Sequence, residues 1–185
     1  MSRFRMEKRI IITDEISGVK SNMEQINIRY IKPTDDLAIS EIIRDNLKKY
    51  SLDIPGTAYY DPELNHLSRY YSEGKQKRAY FIAETNDGEV VGGIGMELFS
   101  AFNNCGEIQK LYVSEKAKRQ GIGQQLLNRV ETYAKSEGIQ RLYLETHSNL
   151  KEAVRLYKKN GYDKISRPKN VVHSTMDLFY MKELD

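Results

Sequence analysis

The residues from Glu107 to Leu127, EIQKLYVSEKAKRQGIGQQLL, pass from a strand-like stretch through a short basic loop to two glycines that open a helix. Glycines at such a junction let backbone N–H groups approach an anion closely, and the helix N-terminus adds about half a positive charge. The chemistry that suits this arrangement is the cradling of a phosphate. A dinucleotide fingerprint needs a third glycine three residues past Gly123, where Leu126 stands. A Walker A loop needs Gly-Lys-Ser/Thr, where Gly123-Gln124-Gln125 stands, so both nucleotide motifs are disfavoured. A helix start behind a solvated basic run would show the same local pattern.

Other reactive side chains are sparse. Cys105 is the single cysteine, which rules out an internal disulfide and fits a reducing, cytoplasmic compartment. His66, His147 and His173 are scattered, with no Cys-centred nucleophile signature and no metal-ligand spacing, so no catalytic metal is expected.

The elements that must position the glycine loop follow from periodicity. Ile26, Ile28 and Tyr30 alternate as a half-buried strand, and Pro33-Thr34 leads into a helix carrying Leu37, Ile39, Ile42, Ile43 and Leu47. A loop over 51–62 holds two prolines and a glycine, and a short helix from about Glu63 to Tyr71 follows. Strands over Tyr80–Glu84 and Glu89–Leu98 flank Asn86-Asp87-Gly88 as a hairpin, with a further strand over Ile108–Val113. From Gly121, the positions Ile122, Leu126, Leu127, Val130, Tyr133 and Ala134 form one helical stripe, which Gly138 ends. Arg141–Thr146 is a strand, and Asn149 with Glu152 opens a helix in the manner of a capping box, stopping at Asn160-Gly161. Tyr162–Ser166 and Met176–Lys182 complete an α/β (α+β) fold. Its mixed, mainly antiparallel sheet has seven strands and about four helices, in the order β-α-α-β-β-β-α-β-α-β-β.

Within this frame, Lys118-Arg119-Gln120-Gly121-Ile122-Gly123 resembles the acyl-CoA loop of the GCN5-related N-acetyltransferase (GNAT) superfamily, Arg/Gln-x-x-Gly-x-Gly/Ala between the fourth strand and the next helix. Lys118 stands where that family usually has Arg or Gln, which keeps the charge and loses the planar fork. Gln109–Val113 resembles the family's strand that pairs with the pantetheine arm. Ser148–Tyr162 (SNLKEAVRLYKKNGY) resembles its Asn…Ala…Tyr helix, with Asn149, Ala153 and Tyr157 four residues apart on one expected face. The element order is also the family's, and the resemblance covers about residues 24–184.

The resemblance implies an N-acetyltransferase that moves an acetyl group from acetyl-CoA to a primary amine of a small molecule, amino acid or protein, by direct transfer in a ternary complex. It implies cofactor contacts from Leu111, Tyr112, Val113, Lys118, Arg119, Gln120, Gly121, Ile122, Gly123, Gln124, Asn149 and Ala153. Tyr157 would protonate the departing thiolate, and Glu107 would assist removal of the amine proton. A carboxylate near pKa ~4.3 is a weak base for an ammonium near ~10, so that role calls for burial or a water chain. Helix capping is the alternative for Asn149, and a strand-end charge the alternative for Glu107. The acceptor walls implied by the fold are Tyr59-Tyr60-Asp61 and 168–175 with His173, an aromatic pair and an acid that either bind a cationic amine or simply pack. A non-catalytic acyl-CoA sensor of the same fold is the second functional class.

Length and charge bound the rest. At 185 residues and 39% hydrophobic content the chain suits one domain, and its longest apolar run, Ala79–Ala83, is far below the ~20 residues of a membrane span. The net charge is +3, but residues 1–22 carry five basic against three acidic residues and read as an N-terminal extension to a domain over 23–185. Gln109–Gln125 then holds Lys110, Lys116, Lys118 and Arg119 against Glu115, which concentrates the remaining basicity at the glycine loop. That distribution favours one phosphate-bearing cofactor over nucleic acid or a membrane surface. A homodimer is the default symmetric assembly.

Overall fold

The computed structural model describes residues 25–73, 77–169, 171 and 173–184; the expected boundary between residues 22 and 23 lies outside them. The elements are β1 (Asn27–Tyr30), α1 (Asp36–Lys49), α2 (Leu67–Ser72), β2 (Arg78–Glu84), β3 (Val90–Leu98), β4 (Cys105–Val113), α3 (Ile122–Ser136), β5 (Arg141–Thr146), α4 (Lys151–Lys159), β6 (Asp163–Ile165) and β7 (Leu178–Glu183). The strands form one seven-stranded sheet in the order β1-β2-β3-β4-β5-β7-β6. Only β4 and β5 pair in parallel, joined by the α3 crossover; every other neighbouring pair is antiparallel.

Each face of the sheet buries its own core. The stripe on α3 (Ile122, Leu126, Leu127, Val130, Ala134) packs with Tyr157 of α4 against Ile94, Leu142 and Leu144. On the other face, Ile39, Ile43 and Leu47 of α1 and Leu67 and Tyr71 of the α2 region cover Tyr80 and Ile82. Leu37, expected on the apolar stripe of the first helix, is 70% exposed. It precedes Ile39 by two positions, about 200° around the helix, and so points away from the sheet. The expected helix from Glu63 begins instead as a 3-10 turn, Pro62–His66, before α2. The Asp36 carboxylate accepts from the Ser68 amide at 2.7 Å and the Ser68 hydroxyl at 2.6 Å, which seats α2 against the first turn of α1.

One irregularity shapes the site. Between β3 and β4 the register runs from Gly95↔Gln109 to Gly93↔Tyr112, so β4 carries one extra residue, and Lys110 there has φ +50°. This is a β-bulge, which bends its strand. The Tyr80 hydroxyl donates to the Lys110 carbonyl at 2.9 Å and satisfies a group that the bulge takes out of the ladder. Tyr80 reaches it by lying across Gly93, where a Cβ would sit 2.4 Å from the Tyr80 ring. Past the bend β4 leaves β5: their pairing stops at Ile108↔Leu144, and Gln109–Val113 pair only with β3 among the described residues.

Candidate functional site

The divergence of β4 from β5 opens a groove of about 500 Å³ between β4, the α3 N-terminus and α4. Leu111, Tyr112 and Val113 form its β4 wall, and Lys118, Arg119, Gly121, Ile122, Gly123 and Gln124 curve around one end. Arg119 (φ +63°) and Gly121 (φ +77°) both take the left-handed region. Successive sign changes of this kind turn backbone N–H groups to one side, as in an anion nest. Gly121 caps α3 with no side-chain hydrogen bond, so the first-turn amides keep their capacity to donate. A Cβ on Gly123 would make only ordinary contact with Leu156, at 3.5 Å, so nothing in the protein itself demands glycine there. The open space in front of Gly123 suits a ligand that presses against backbone.

The groove's charge suits that ligand. Lys118, Arg119, Arg155 and Lys159 line it against the single carboxylate of Glu152. Lys118 is held by Glu115, by Glu152 at 3.6 Å and by the Tyr50 hydroxyl at 3.4 Å, with its ammonium 5.2 Å from the centre of the Tyr50 ring. Burial tends to lower its pKa, but Glu115 and Tyr50 together outweigh this and raise it. Arg155 and Lys159 were not singled out by motif, although their spacing of four puts them on one face of α4. Asn46 and Tyr50, at the end of α1, also line the groove and no motif marks them. The buried Asn46 amide donates to the Val113 carbonyl at 3.1 Å and so fixes the last residue of β4.

Two expected cofactor residues lie elsewhere. Gln120 is exposed and reaches back to the Lys116 carbonyl at 3.5 Å. Asn149 neither caps α4, whose N-cap is Leu150, nor shares a helical face with Ala153 and Tyr157, because it precedes the helix. Its side chain instead donates to the Tyr50 carbonyl at 3.2 Å, tying α4's approach to the end of α1. Ala153 does line the groove.

Tyr157 does not line the groove; it is buried in the α3-side core, edge-on to Tyr162 at 5.8 Å, and its hydroxyl has no hydrogen-bond partner among the described residues. Burial raises its pKa, so it is a protonated phenol throughout the neutral range. It is close enough to Tyr112 to act on that residue electrostatically.

Glu107 lies on the opposite, α2-side face of β4. Gln109 Nε2 donates to its Oε2 at 2.9 Å, and the Tyr71 hydroxyl donates to Gln109 Oε1 at 2.7 Å. Burial pushes the Glu107 carboxyl up to about 7, opposed by the Gln109 bond and assisted by Glu145. This is the burial that a carboxylate base requires.

The expected acceptor walls meet one another. His173 Nε2 is 3.0 Å from Asp61, His173 Nδ1 is 2.5 Å from Glu145, and Lys110 Nζ lies 2.7 Å from Asp61 and 3.1 Å from Glu63. Asp61, one candidate for a cationic acceptor, is thus already committed to two cations of the chain. Burial raises its pKa, but His173 and Lys110 bring it down to about 2. Tyr59 stacks edge-on with Tyr60 at 5.0 Å and has Lys48 5.9 Å from its ring centre, while Tyr60 stays exposed. Thr175 donates to the Pro55 carbonyl at 2.9 Å through its hydroxyl and to that of Gly56 at 3.4 Å through its amide, so the two wall segments are clasped together. Cys105 is buried, and burial raises its pKa to about 11, which suits packing and not nucleophilic attack. Among the described residues no group of three or more His, Cys, Asp or Glu side chains could hold a metal ion, and no helix is long and apolar enough to cross a membrane.

The family described as "Acetyltransferase (GNAT) family" matches residues 41–162. An uncharacterized N-acetyltransferase of Escherichia coli (strain K12), YjgM, is 34% identical over 140 residues, 75% of this chain and 82% of that protein. An IAA acetyltransferase of Azospirillum brasilense is 29% identical, over 76% of this chain and 86% of its own length. Among solved structures, a GNAT-family acetyltransferase from Staphylococcus aureus Mu50 superposes with a TM-score of 0.76 at 24% identity, covering 87% of this chain and 100% of that one. A PaiA N-acetyltransferase from Thermoplasma acidophilum, solved in complex with coenzyme A, gives 0.66 at 21% identity, covering 86% and 99%.

Proposed function

Because this chain belongs to the acetyltransferase (GNAT) family, we propose that it is an N-acetyltransferase moving an acetyl group from acetyl-CoA to a primary amine of a small molecule, amino acid or protein, by direct transfer in a ternary complex. The observation that carries this reading is the bulge at Lys110. It frees the β4 edge from Gln109 to Val113 and aims it into a cationic groove that ends on the α3 N-terminus. A long ligand with an amide-bearing arm and a pyrophosphate matches both parts: the arm pairs with Leu111–Val113, and the phosphates meet the amides after Gly121 with Lys118, Arg119, Arg155 and Lys159 around them. When bound, the cofactor supplies an activated acyl group as its thioester.

The protein's own residues orient the reactants and move protons. Glu107, held near neutrality by burial, takes the proton from the acceptor ammonium, directly or through water. The amine nitrogen then bonds to the acyl carbon as the carbon–sulfur bond breaks; Tyr157, kept protonated by its burial, gives its proton to the departing sulfur, and the second proton lost by the nitrogen returns through water to the Tyr157 oxygen, leaving a neutral amide and thiol. Cys105, buried and without a base, has no part in an acyl-enzyme. The reading places the domain over residues 23–185, in the cytoplasm. Its partners are acetyl-CoA and an amine, with no nucleic acid and no resident metal, and a homodimer is its expected assembly.

The test is thiol release from acetyl-CoA across a panel of amines, with CoA binding measured by calorimetry. Acceptor-dependent release is expected, lowered about 10²–10⁴-fold in kcat/KM by Glu107→Gln and lowered at saturating acceptor by Tyr157→Phe. Tight CoA binding without release for any amine of a broad panel would replace the enzyme with an acyl-CoA sensor. Full activity in either variant would remove that residue from the mechanism.

A further inference from the structure

His173 bridges two carboxylates that come from separate parts of the fold, Asp61 before α2 and Glu145 on β5. A carboxylate only accepts hydrogen bonds, and a neutral imidazole carries one N–H. With both ring nitrogens within bonding distance of a carboxylate oxygen, the ring satisfies both partners only as an imidazolium. The bridge continues through Asp61 to the buried Lys110 ammonium and on to Glu63. At its other end Glu145 spends one oxygen on His173, while its second is buried with no partner among the described residues. The bridge therefore has a positive middle and an incompletely neutralised carboxylate at one end, and both lie on the face of the sheet that carries Glu107.

We propose that this Glu145–His173–Asp61–Lys110 bridge sets the charge state of Glu107, His173 and Lys110 favouring the carboxylate and Glu145 favouring the acid. His173 and Glu145 are thus positioning residues for proton transfer and not contacts of the acceptor. The inference rests on the reading of Glu107 as the base.

The groups facing Glu107 leave room for such control. On its own strand are Gln109, which donates to it, and Lys110. From β3, Glu97 stands opposite in register, but its charge is occupied by the Tyr70 hydroxyl at 2.5 Å and by Arg78 at 3.5 Å. From the helical layer come Tyr70 and Tyr71, both protonated phenols with raised pKa values. From β5, Tyr143 pairs with Glu107 and is likewise a protonated phenol, with Glu145 two residues on. The segment before β7 brings His173. The charges that act most strongly on Glu107 are those of the bridge, and they oppose one another: Glu145 raises its pKa, while His173 and Lys110 lower it.

The experiment is a carboxyl ¹³C NMR titration of the full chain labelled at glutamate, with the Glu107 signal assigned by its loss in Glu107→Gln. No acceptor is needed. In the unaltered protein the midpoint is expected near 7. His173→Gln, which removes the charge and keeps a hydrogen bond, moves it up by about half a unit or more, and Glu145→Gln moves it down by a similar amount. In Glu145→Gln the imidazolium is still held by Asp61, so that variant carries the test even where His173→Gln fails to fold. A merely structural bridge leaves the midpoint in place or moves it the same way in both variants, and either result overturns the proposal. Shifts in opposite directions support it. If they occur while Glu107→Gln retains full turnover, the electrostatic frame stands and the base assignment alone falls.

Discussion

Glu107 and His173 are buried titratable side chains with opposite consequences for stability. The Glu107 midpoint rises from an ordinary 4.5 to about 7 because burial disfavours its charge. Its contribution is therefore fully present below pH ~4.5 and lost as pH climbs through ~7. Glu107→Gln removes that loss and should be the more stable protein at pH 8 by about 2 kcal/mol, with little difference at pH 4.5; urea unfolding at the two pH values reads the change. For His173, burial lowers the midpoint, but Asp61 and Glu145 carry it from 6.5 up to about 9. The bridge stabilises fully below pH ~6.5 and weakens as pH rises through ~9. His173→Gln should accordingly cost about 2 kcal/mol at pH 6 and progressively less between pH ~6.5 and ~9, with little of the deficit left above that; a constant deficit at every pH would mean that the ring acts by packing alone. None of this was legible in the chain. Residue types and position suggested that Asp61 and His173 wall the acceptor side, but the two stand 112 positions apart, and nothing local shows that each is the other's partner.

At the scale of elements, the loop before α3 separates two glycines that look alike in sequence. Gly121 sits at φ +77°, a region that L side chains rarely enter, with open space where a Cβ would go. Gly121→Ala should destabilise by about 1 kcal/mol through backbone strain. Gly123 is the second residue of α3, and a methyl there meets Leu156 at an ordinary distance. Gly123→Ala should therefore hold or raise the melting temperature, since alanine is the better helix former by about 1 kcal/mol, while weakening CoA about tenfold or more. Thermal unfolding with and without CoA separates the two, and a Gly123→Ala protein that binds CoA normally would mean that nothing presses on that backbone. Helix α3 and the hairpin were readable because period and turn chemistry agree over many residues. The start of α4 was not: Asn149 and Glu152 have the spacing of a capping box, yet Asn149 is drawn to the end of α1 by a carbonyl acceptor distant in sequence. The bulge at Lys110 was also hidden, because a lysine carries no local signal for positive φ and its carbonyl partner, Tyr80, lies on another strand.

For the whole molecule, element order and sheet composition were legible, while strand order and the meeting of loops across the sheet were not, since they depend on contacts between distant segments. Every buried apolar side chain among the described residues lies at Ile39 or later, in cores on both faces of one sheet. On the reading that residues 1–22 are an extension to a domain over 23–185, a chain lacking them should keep its melting temperature and its CoA affinity; loss of either would place the extension inside the domain. The charge distribution works at the same scale. A net charge of +3 is small, but four cations meet at one groove, so CoA affinity should fall with salt.

The Tyr80 ring lies across Gly93 with its hydroxyl on the Lys110 carbonyl, which gives the groove an unusual mutational geography. What keeps β4 bent away from β5 is in part the absence of a methyl group two strands away from β5. Gly93 does not line the groove, yet a side chain there displaces a fully buried ring and takes the bulge's hydrogen bond with it. In a saturation screen scored on CoA binding, Gly93 should tolerate substitution as poorly as the glycines of the loop, and Gly93→Ala should lose CoA affinity together with melting temperature. Sensitivity to mutation in this enzyme would then trace the line from Gly93 through Tyr80 to Lys110, reaching the ligand from the far side of the sheet.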